Sequence, residues 1–461
     1  MSIFRSYFNN NASIIKNSVL NNSRNPVMQL VYGDIGIYSR YIFDIDLTSL
    51  TNNITNNGIL SGSVLSHKIK FTNTISFDKE LIGGQFSDGS KRANSFDLVL
   101  FNIGETFDNG SGYDFIPLTG ETFFDNNFNT SAPNWYYKKT GVLWSQPGTY
   151  TGNTPSSAIT SQHFIDGNED IVFDISNQIN GILYSGQTNN RFGIAFSGSI
   201  ETLTADTLYG VAFFSPYTNT FYQPYLETTI NDTIIDDRNF FYLDKNNNIY
   251  FYSNVGGKFT DPDSISKVEI FDYEGILYQT FTGTSINKLK KGIYYVSLNV
   301  PSDTYPDLVL FTDKWSFIYS GKTKTVENEF ALLNPDNYFD FSNGATNDYE
   351  TDYKNFFFSY SGIRNEEVIT NGEIRKIIIN VRRLYGQHNN IPLDLEYRIY
   401  VREGTDEVDV VPFTLVSRDY ANYFFNMDTS WFIQHDYYLD VKMTINGISK
   451  TLNNVLSFIV K

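Results

Sequence analysis

Tyr438-Leu439-Asp440-Val441-Lys442-Met443-Thr444-Ile445 places an apolar side chain at every second position, with Asp440, Lys442 and Thr444 between them. Successive side chains of an extended chain point to opposite faces, so a period of two predicts a strand with one buried and one wet face. The same period recurs at Tyr41, Phe43, Ile45 and Leu47, interleaved with Asp44 and Asp46, and at Tyr397, Ile399 and Val401 between Arg398 and Arg402. Between such runs stand the turn formers Asp108-Asn109-Gly110, Asn254-Val255-Gly256-Gly257, Tyr273-Glu274-Gly275 and Ile445-Asn446-Gly447. Short strands separated by turns of this kind predict antiparallel hairpins of the sort that build sandwiches. One stretch, residues 176–184, reads as a short helix, because Ile179, Ile182 and Leu183 recur at helical spacing.

At 461 residues the chain is long enough for about three domains. Two polar stretches, residues 231–239 and 334–355, suggest where to divide it. The expected organisation is a jelly-roll-like β-sandwich over residues 1–235, then immunoglobulin-like β-sandwiches over 236–336 and 337–461, an all-β chain. The 33 Tyr and 39 Phe suit pleated, half-buried surfaces.

A formal charge of −17 opposes affinity for phosphate, so direct, sequence-specific nucleic-acid binding is not expected. The basic pairs Lys290-Lys291 and Arg382-Arg383 read as solvated strand ends. With no cysteine, neither disulfides nor thiolate chemistry is available. The first 20 residues carry Arg5, Asn9, Asn10, Asn11, Lys16 and Asn17 where a secretory signal needs an apolar run, and no apolar run approaches membrane-spanning length. A protein without membrane partners is expected.

Catalytic and metal signatures are weak. His67, His163, His388 and His435 are too scattered to suggest a zinc site and read as loop or surface residues. Residues 84–91, G-Q-F-S-D-G-S-K, approach a phosphate-binding loop, but Ser90 precedes Lys91 and reverses the order that phosphate and magnesium contacts need. Asp244, Asn246 and Asn248 have the spacing of early calcium-loop ligands, yet Ile249 and Val255 occupy the glycine and closing acidic positions. Asp261 with Asp263, and Asp406 with Glu407 and Asp409, offer oxygen ligands but read as solvated turns. No catalytic residue, cofactor or metal is expected. Trp135, Tyr136, Tyr137 and Trp144 form an aromatic cluster, of which Trp135 and Trp144 are candidate glycan contacts if they face solvent, although core packing is the commoner use of such residues.

The first 235 residues resemble DNRLRE-type jelly-roll modules of phage virion proteins. The resemblance is carried by Asn22-Ser23-Arg24-Asn25-Pro26-Val27, by Leu30-Val31-Tyr32-Gly33, and by Arg40-Tyr41-Ile42-Phe43-Asp44-Ile45-Asp46-Leu47, which has the form R-x-x-F-D-x-x-L. In the same order follow Asn134-Trp135, Gly141-Val142-Leu143-Trp144, residues 171–182, Phe213-Phe214-Ser215-Pro216 and Pro224-Tyr225-Leu226-Glu227. The DNRLRE sequence itself is missing. Over its whole length the chain is similar to virion structural proteins of crAss-like tailed phages.

The resemblance implies a ring, collar or tail component of a tailed-phage virion, built in the bacterial cytoplasm. Its implied partners are other copies of itself and neighbouring portal, ring or tail proteins. The alternative is a receptor- or glycan-binding adhesin or tail fibre protein. A third possibility is a polysaccharide-degrading enzyme, which requires a groove lined by two carboxylates.

Overall fold

The computed structural model describes residues 1–19, 21–33, 37–74, 92–93, 95–110, 112, 132–149, 158–202, 208–238, 241–305, 308–334, 356–383, 394–419, 422–445 and 448–461. The chain is all-β, a jelly-roll-like sandwich followed by two immunoglobulin-like sandwiches. It forms two compact units. One comprises residues 3–52 and 64–229, and the other residues 1–2, 53–63 and 230–461. The first unit therefore closes at Thr229 rather than at 235, and two short N-terminal pieces belong with the C-terminal sandwiches.

In the N-terminal unit a single path of paired strands runs Ile171–Asp174, Val64–Phe71, Tyr225–Ile230, Ser2–Ile15, Ile37–Ile45, Arg191–Phe196, Phe96–Asn102 and Ala158–Phe164. Val27–Gly33 pairs with Leu208–Phe214 and turns back into Ile37–Ile45. The path folds on itself, bringing the Phe43 and Phe71 rings to 5.6 Å and those of Phe164 and Phe213 to 6.2 Å. A bulge between Phe8 and Asn11 helps it bend, because the extra residue breaks the ladder and raises local twist. Asn10 there donates to Asp44 through its backbone N–H at 2.9 Å and its side-chain amide at 2.7 Å.

The strand Ile37–Ile45 departs from the one-wet-face expectation. Tyr41 and Phe43 are buried, but so are Ile42 between them and Ser39 and Arg40 before them, because this strand lies inside the sheet with both faces covered. The 438–445 expectation falls within His435–Ile445, where Leu439, Val441 and Met443 are buried. Asp440, on the face expected to be wet, is buried as well, accepting from Arg398 Nη1 at 3.3 Å and from the Asn454 N–H at 2.8 Å.

The second sandwich stacks a five-stranded sheet, ordered Phe241–Tyr242, Lys322–Leu333, Val309–Tyr319, Ser264–Asp272 and Leu277–Phe281, on the three strands Asn247–Tyr252, Ile293–Leu298 and Asn287–Lys290. Trp315 from the first sheet stacks on Phe251 from the second at 5.0 Å. The third pairs Phe356–Ser361, Ile374–Arg383, Tyr423–Asp428 and Ser417–Arg418 against Glu367–Ile369, Ile448–Val460, His435–Ile445, Asp394–Glu403 and Asp406–Leu415. Tyr397 and Phe425 stack between these layers at 3.9 Å.

The expected helix is present as Ser176–Ser185, ending on Gly186 at φ 74°, a left-handed conformation that glycine adopts without steric cost. A second helix, Thr48–Asn57, was not expected. Its Asn and Thr residues are weak helix formers, but Leu47, Leu50 and Ile54, all buried, carry helical spacing, and Asp46 Oδ1 accepts the Thr48 N–H at 2.9 Å. Among the described residues no helix is long and apolar enough to cross a membrane.

Candidate functional site

Trp135 and Trp144 are only 6% and 4% exposed, so neither offers its indole face to a sugar. This corrects the glycan-contact expectation, and the reason is local. Trp135 packs edge-on against Tyr38 at 5.6 Å and lies 5.0 Å from the guanidinium of Arg40. It also sits so close to Gly148 that a Cβ there would meet the ring at 2.5 Å. The indole N–H of Trp144 donates to the Asn134 carbonyl at 2.8 Å, which satisfies the one polar atom that burial would otherwise strand.

Arg40 organises this region. Its guanidinium forks onto Glu201 at 2.9 and 2.7 Å and donates to the Gly148 carbonyl at 2.6 Å. Both side chains are nearly inaccessible, at 4% and 5%. A buried ion pair is tolerated when its remaining donors are also satisfied, and here the third contact does that. The residues of R-x-x-F-D-x-x-L therefore have structural duties: Arg40 pairs with Glu201, Phe43 fills the core, Asp44 receives Asn10, and Leu47 is buried.

Two corrections concern charge and histidine. His67 is not a loop or surface residue but fully buried on Val64–Phe71, its Nδ1 2.8 Å from Thr228 Oγ1 and its Nε2 3.3 Å from Asn180 Oδ1. Burial lowers its pKa to about 4, against smaller opposing contributions from Asn180 and Asp174. Lys290 is not a solvated strand end either, since its side chain is 15% exposed and lies 3.5 Å from Asp232. Lys291 is exposed, as expected. His163 lies on an exposed strand position beside Asp97 at 2.9 Å, and His435 opens a strand. His388, residues 84–91 and the side chains of Arg382 and Arg383 lie outside the described residues.

The acidic turns are occupied by the fold itself. Asp261 accepts from Lys288 at 2.7 Å, from the Gly292 N–H at 2.8 Å and from Tyr294 at 2.8 Å. Asp263 accepts the Gly321 N–H at 2.9 Å, and Asp244 that of Ser302 at 3.0 Å. Asn246 and Asn248 bond to Asn299 and Ser297. Glu407 and Asp409 flank Arg398 at 2.9 and 2.6 Å. No group of three His, Asp or Glu side chains placed to hold a metal occurs among the described residues.

The polar stretch expected to mark a domain boundary also takes part in a joint between the second and third sandwiches. Ile234, Tyr250, Leu289, Ile293 and Phe424 form its apolar centre. Arg418 donates in a fork to Asp237 at 2.5 and 2.8 Å, and its backbone bonds to Ile234 and Asp236. Arg238 reaches back to the buried Asp313 at 2.6 Å, which also accepts the Trp315 indole N–H at 2.7 Å. Burial raises the pKa of Asp236, and Tyr252, which donates to it at 2.8 Å, is raised by its own burial and by that carboxylate. The α-amine of Met1 contacts Thr233 and lies 3.6 Å from Asp232.

Among the described residues, the second sandwich exposes apolar side chains beside a concavity. Tyr273, Ile276, Leu277, Leu308 and Leu310 are each at least half exposed. Tyr273 and Leu310, with Phe271, line a groove of about 390 Å³ rimmed by Asp272, Glu327, Glu329 and Lys314, over the buried core side chain Phe311. The register that sets Phe271 opposite Leu277 and Thr312 makes this one continuous outer face of the sheet. Sequence reasoning missed it because strand alternation marks which side chains share a face but not which face a second layer covers.

No family model matches the sequence, and no curated protein does. Among solved structures the chain is similar to fibronectin(III)-like modules of Clostridium thermocellum CbhA, with 12% identity over 50% of this chain and 93% of that one and a TM-score of 0.16. It is similar to tandem immunoglobulin domains of titin, with 10% identity over 50% and 94% and a TM-score of 0.16. It is also similar to a DUF4785 family protein from Legionella pneumophila, with 9% identity over 98% and 93% and a TM-score of 0.17.

Proposed function

We propose that this chain is a structural subunit of a tailed-bacteriophage virion, a ring, collar or tail component that works by contact with its neighbours rather than by catalysis. The observation that carries the reading is the set of exposed apolar side chains on the second sandwich, Tyr273, Ile276, Leu277, Leu308 and Leu310, beside a groove of mixed apolar and charged lining. Exposed apolar surface rimmed by polar groups marks an interaction face. Its rim holds three carboxylates against one lysine, and Lys314 is already paired with Glu327 at 2.7 Å, so the neighbour it fits presents apolar side chains with a basic border. The assignment to a phage particle is supported by the sequence resemblance of the N-terminal module and of the chain as a whole.

A joint bonded through Arg418 and Asp237 suits a subunit that must hold two sandwiches at a set angle under load. The test is electron microscopy of host particles containing the chain, together with the mass of the purified protein. A symmetric layer at the collar or tail, lost when Leu310→Asp is introduced, is the expected result. A protein absent from every particle, or one that coats bacterial cells, overturns the reading in favour of an adhesin.

A further inference from the structure

Asp97 stands directly opposite His163 across the antiparallel pair Phe96–Asn102 and Ala158–Phe164. Ser95 lies two residues before Asp97, the spacing at which an extended chain returns to the same face. The imidazole bridges the two. Its Nδ1–H donates to Asp97 Oδ1 at 2.9 Å, and its Nε2 lies 3.4 Å from Ser95 Oγ. A carboxylate can only accept, so Asp97 fixes the tautomer that leaves the Nε2 lone pair toward the serine hydroxyl. The backbone beneath is held in place: Phe96 and Phe164 are buried and stack at 5.0 Å, and the Asp97 carbonyl accepts the Ser197 N–H at 2.9 Å. A hydroxyl beside an imidazole that a carboxylate orients is the arrangement that activates a serine. We propose that Ser95, with His163 as its general base, is a nucleophile that takes acyl groups from carboxylic esters with good leaving groups.

Ser95 Oγ attacks the ester carbonyl carbon while its proton passes to His163 Nε2, and Asp97 steadies the imidazolium that forms. The tetrahedral carbon then expels the leaving oxygen, which takes the proton from Nε2, and the acyl group stays on Ser95 as an ester. Water attacking by the same proton route releases the carboxylic acid and restores the serine. The side chains of His163 and Asp97 are 58% and 52% exposed, and Ser95 is exposed as well. Solvent therefore shares in stabilising the oxyanion, a task that fixed donors perform better, and this confines the chemistry to esters whose leaving group needs little assistance. A surface hydrogen-bond ladder without reactivity would have the same geometry and differs in the rate at which Ser95 is acylated. The inference does not depend on the virion reading, since the three residues belong to the N-terminal unit and the groove to the second sandwich.

The experiment incubates the purified full chain with p-nitrophenyl acetate, follows p-nitrophenol release by absorbance, and locates the acetyl group by peptide mass spectrometry. The chain has no cysteine, so no thiol competes for the reagent. The expected result is acetylation of Ser95 ahead of exposed serines elsewhere in the chain, slowed about a hundredfold or more in His163→Gln. Asp97→Asn presents an amide N–H to Nδ1 and favours the other tautomer. The rate at Ser95 should fall in that variant, and the two ring nitrogens of His163 should exchange their NMR signatures, which a merely structural role for Asp97 would not produce. All three side chains are exposed, and circular dichroism melts check that the variants stay folded. Acetylation of Ser95 no faster than that of other exposed serines, or equally fast in His163→Gln, overturns the proposal. Either result leaves the virion reading untouched, and a chain absent from phage particles leaves the serine chemistry untouched.

Discussion

Acidification should weaken the N-terminal unit through one side chain, His67. Its imidazole is fully buried, with both ring nitrogens facing side-chain oxygens, and burial holds its pKa at about 4, compared with 6.5 for the free group. A lowered histidine pKa means that the folded state binds the proton less well than the unfolded state. Stability is then complete above about pH 6.5, declines as pH falls through the interval, and is lost by about pH 4. The difference corresponds to about 3 kcal/mol, a large share of the stability of an ordinary domain. Urea melts of wild type and His67→Gln at pH 7, 5.5 and 4 isolate this contribution. Glutamine keeps hydrogen-bonding capacity without titrating in this range, and subtracting its pH dependence removes what carboxylates such as Asp174 contribute. Wild type should lose about 3 kcal/mol more than the variant on going from pH 7 to pH 4. Equal losses in the two proteins, or an NMR titration of the His67 ring centred near 6.5, would refute the reasoning.

Asp313→Ala removes the carboxylate that pairs with Arg238 and strands the indole N–H of Trp315, and should cost about 3–5 kcal/mol in the unit that contains it, read by calorimetry. Arg418→Ala removes a fork that is partly solvated, so about 1–3 kcal/mol is expected, along with a broader range of angles between the two C-terminal sandwiches in small-angle scattering. Trp135→Ala should lower the melting temperature of the N-terminal unit, through a loss of about 3–5 kcal/mol, and leave any glycan-array signal unchanged; loss of a specific glycan signal in a folded variant would restore the sugar-contact reading. Gly193→Ala drives a Cβ to within 2.2 Å of the Phe101 ring, and overpacking of that kind should cost about 1–3 kcal/mol by denaturant titration.

Much of the fold was legible because strands write their burial into local sequence. The alternation at Leu439, Val441 and Met443 and at Tyr397, Ile399 and Val401 identified real strands and their inward side chains. The helix Ser176–Ser185 showed in the spacing of three apolar residues. The helix Thr48–Asn57 escaped because Asn and Thr propensity argued against it while three buried apolar side chains, which only the folded chain reveals as buried, argued for it. The candidate site was much less legible. The tryptophans were noticed, but the group that holds Trp135 inward, Arg40 paired with Glu201, joins residues 161 apart.

The amino-acid sequence by itself determined the class of this protein: a strand period of two, frequent turns, an acidic balance and no cysteine. Those properties depend on neighbours a few positions apart, and backbone geometry translates them directly into strands and hairpins. The tertiary structure alone decided which polar groups are buried and what satisfies them. His67 lost its solvent, and Arg418 found Asp237 across 181 residues. The physical reason is that burial and pairing are properties of packed layers, set by how sheets fold over one another, and side chains that meet there carry no mark of it in their local sequence.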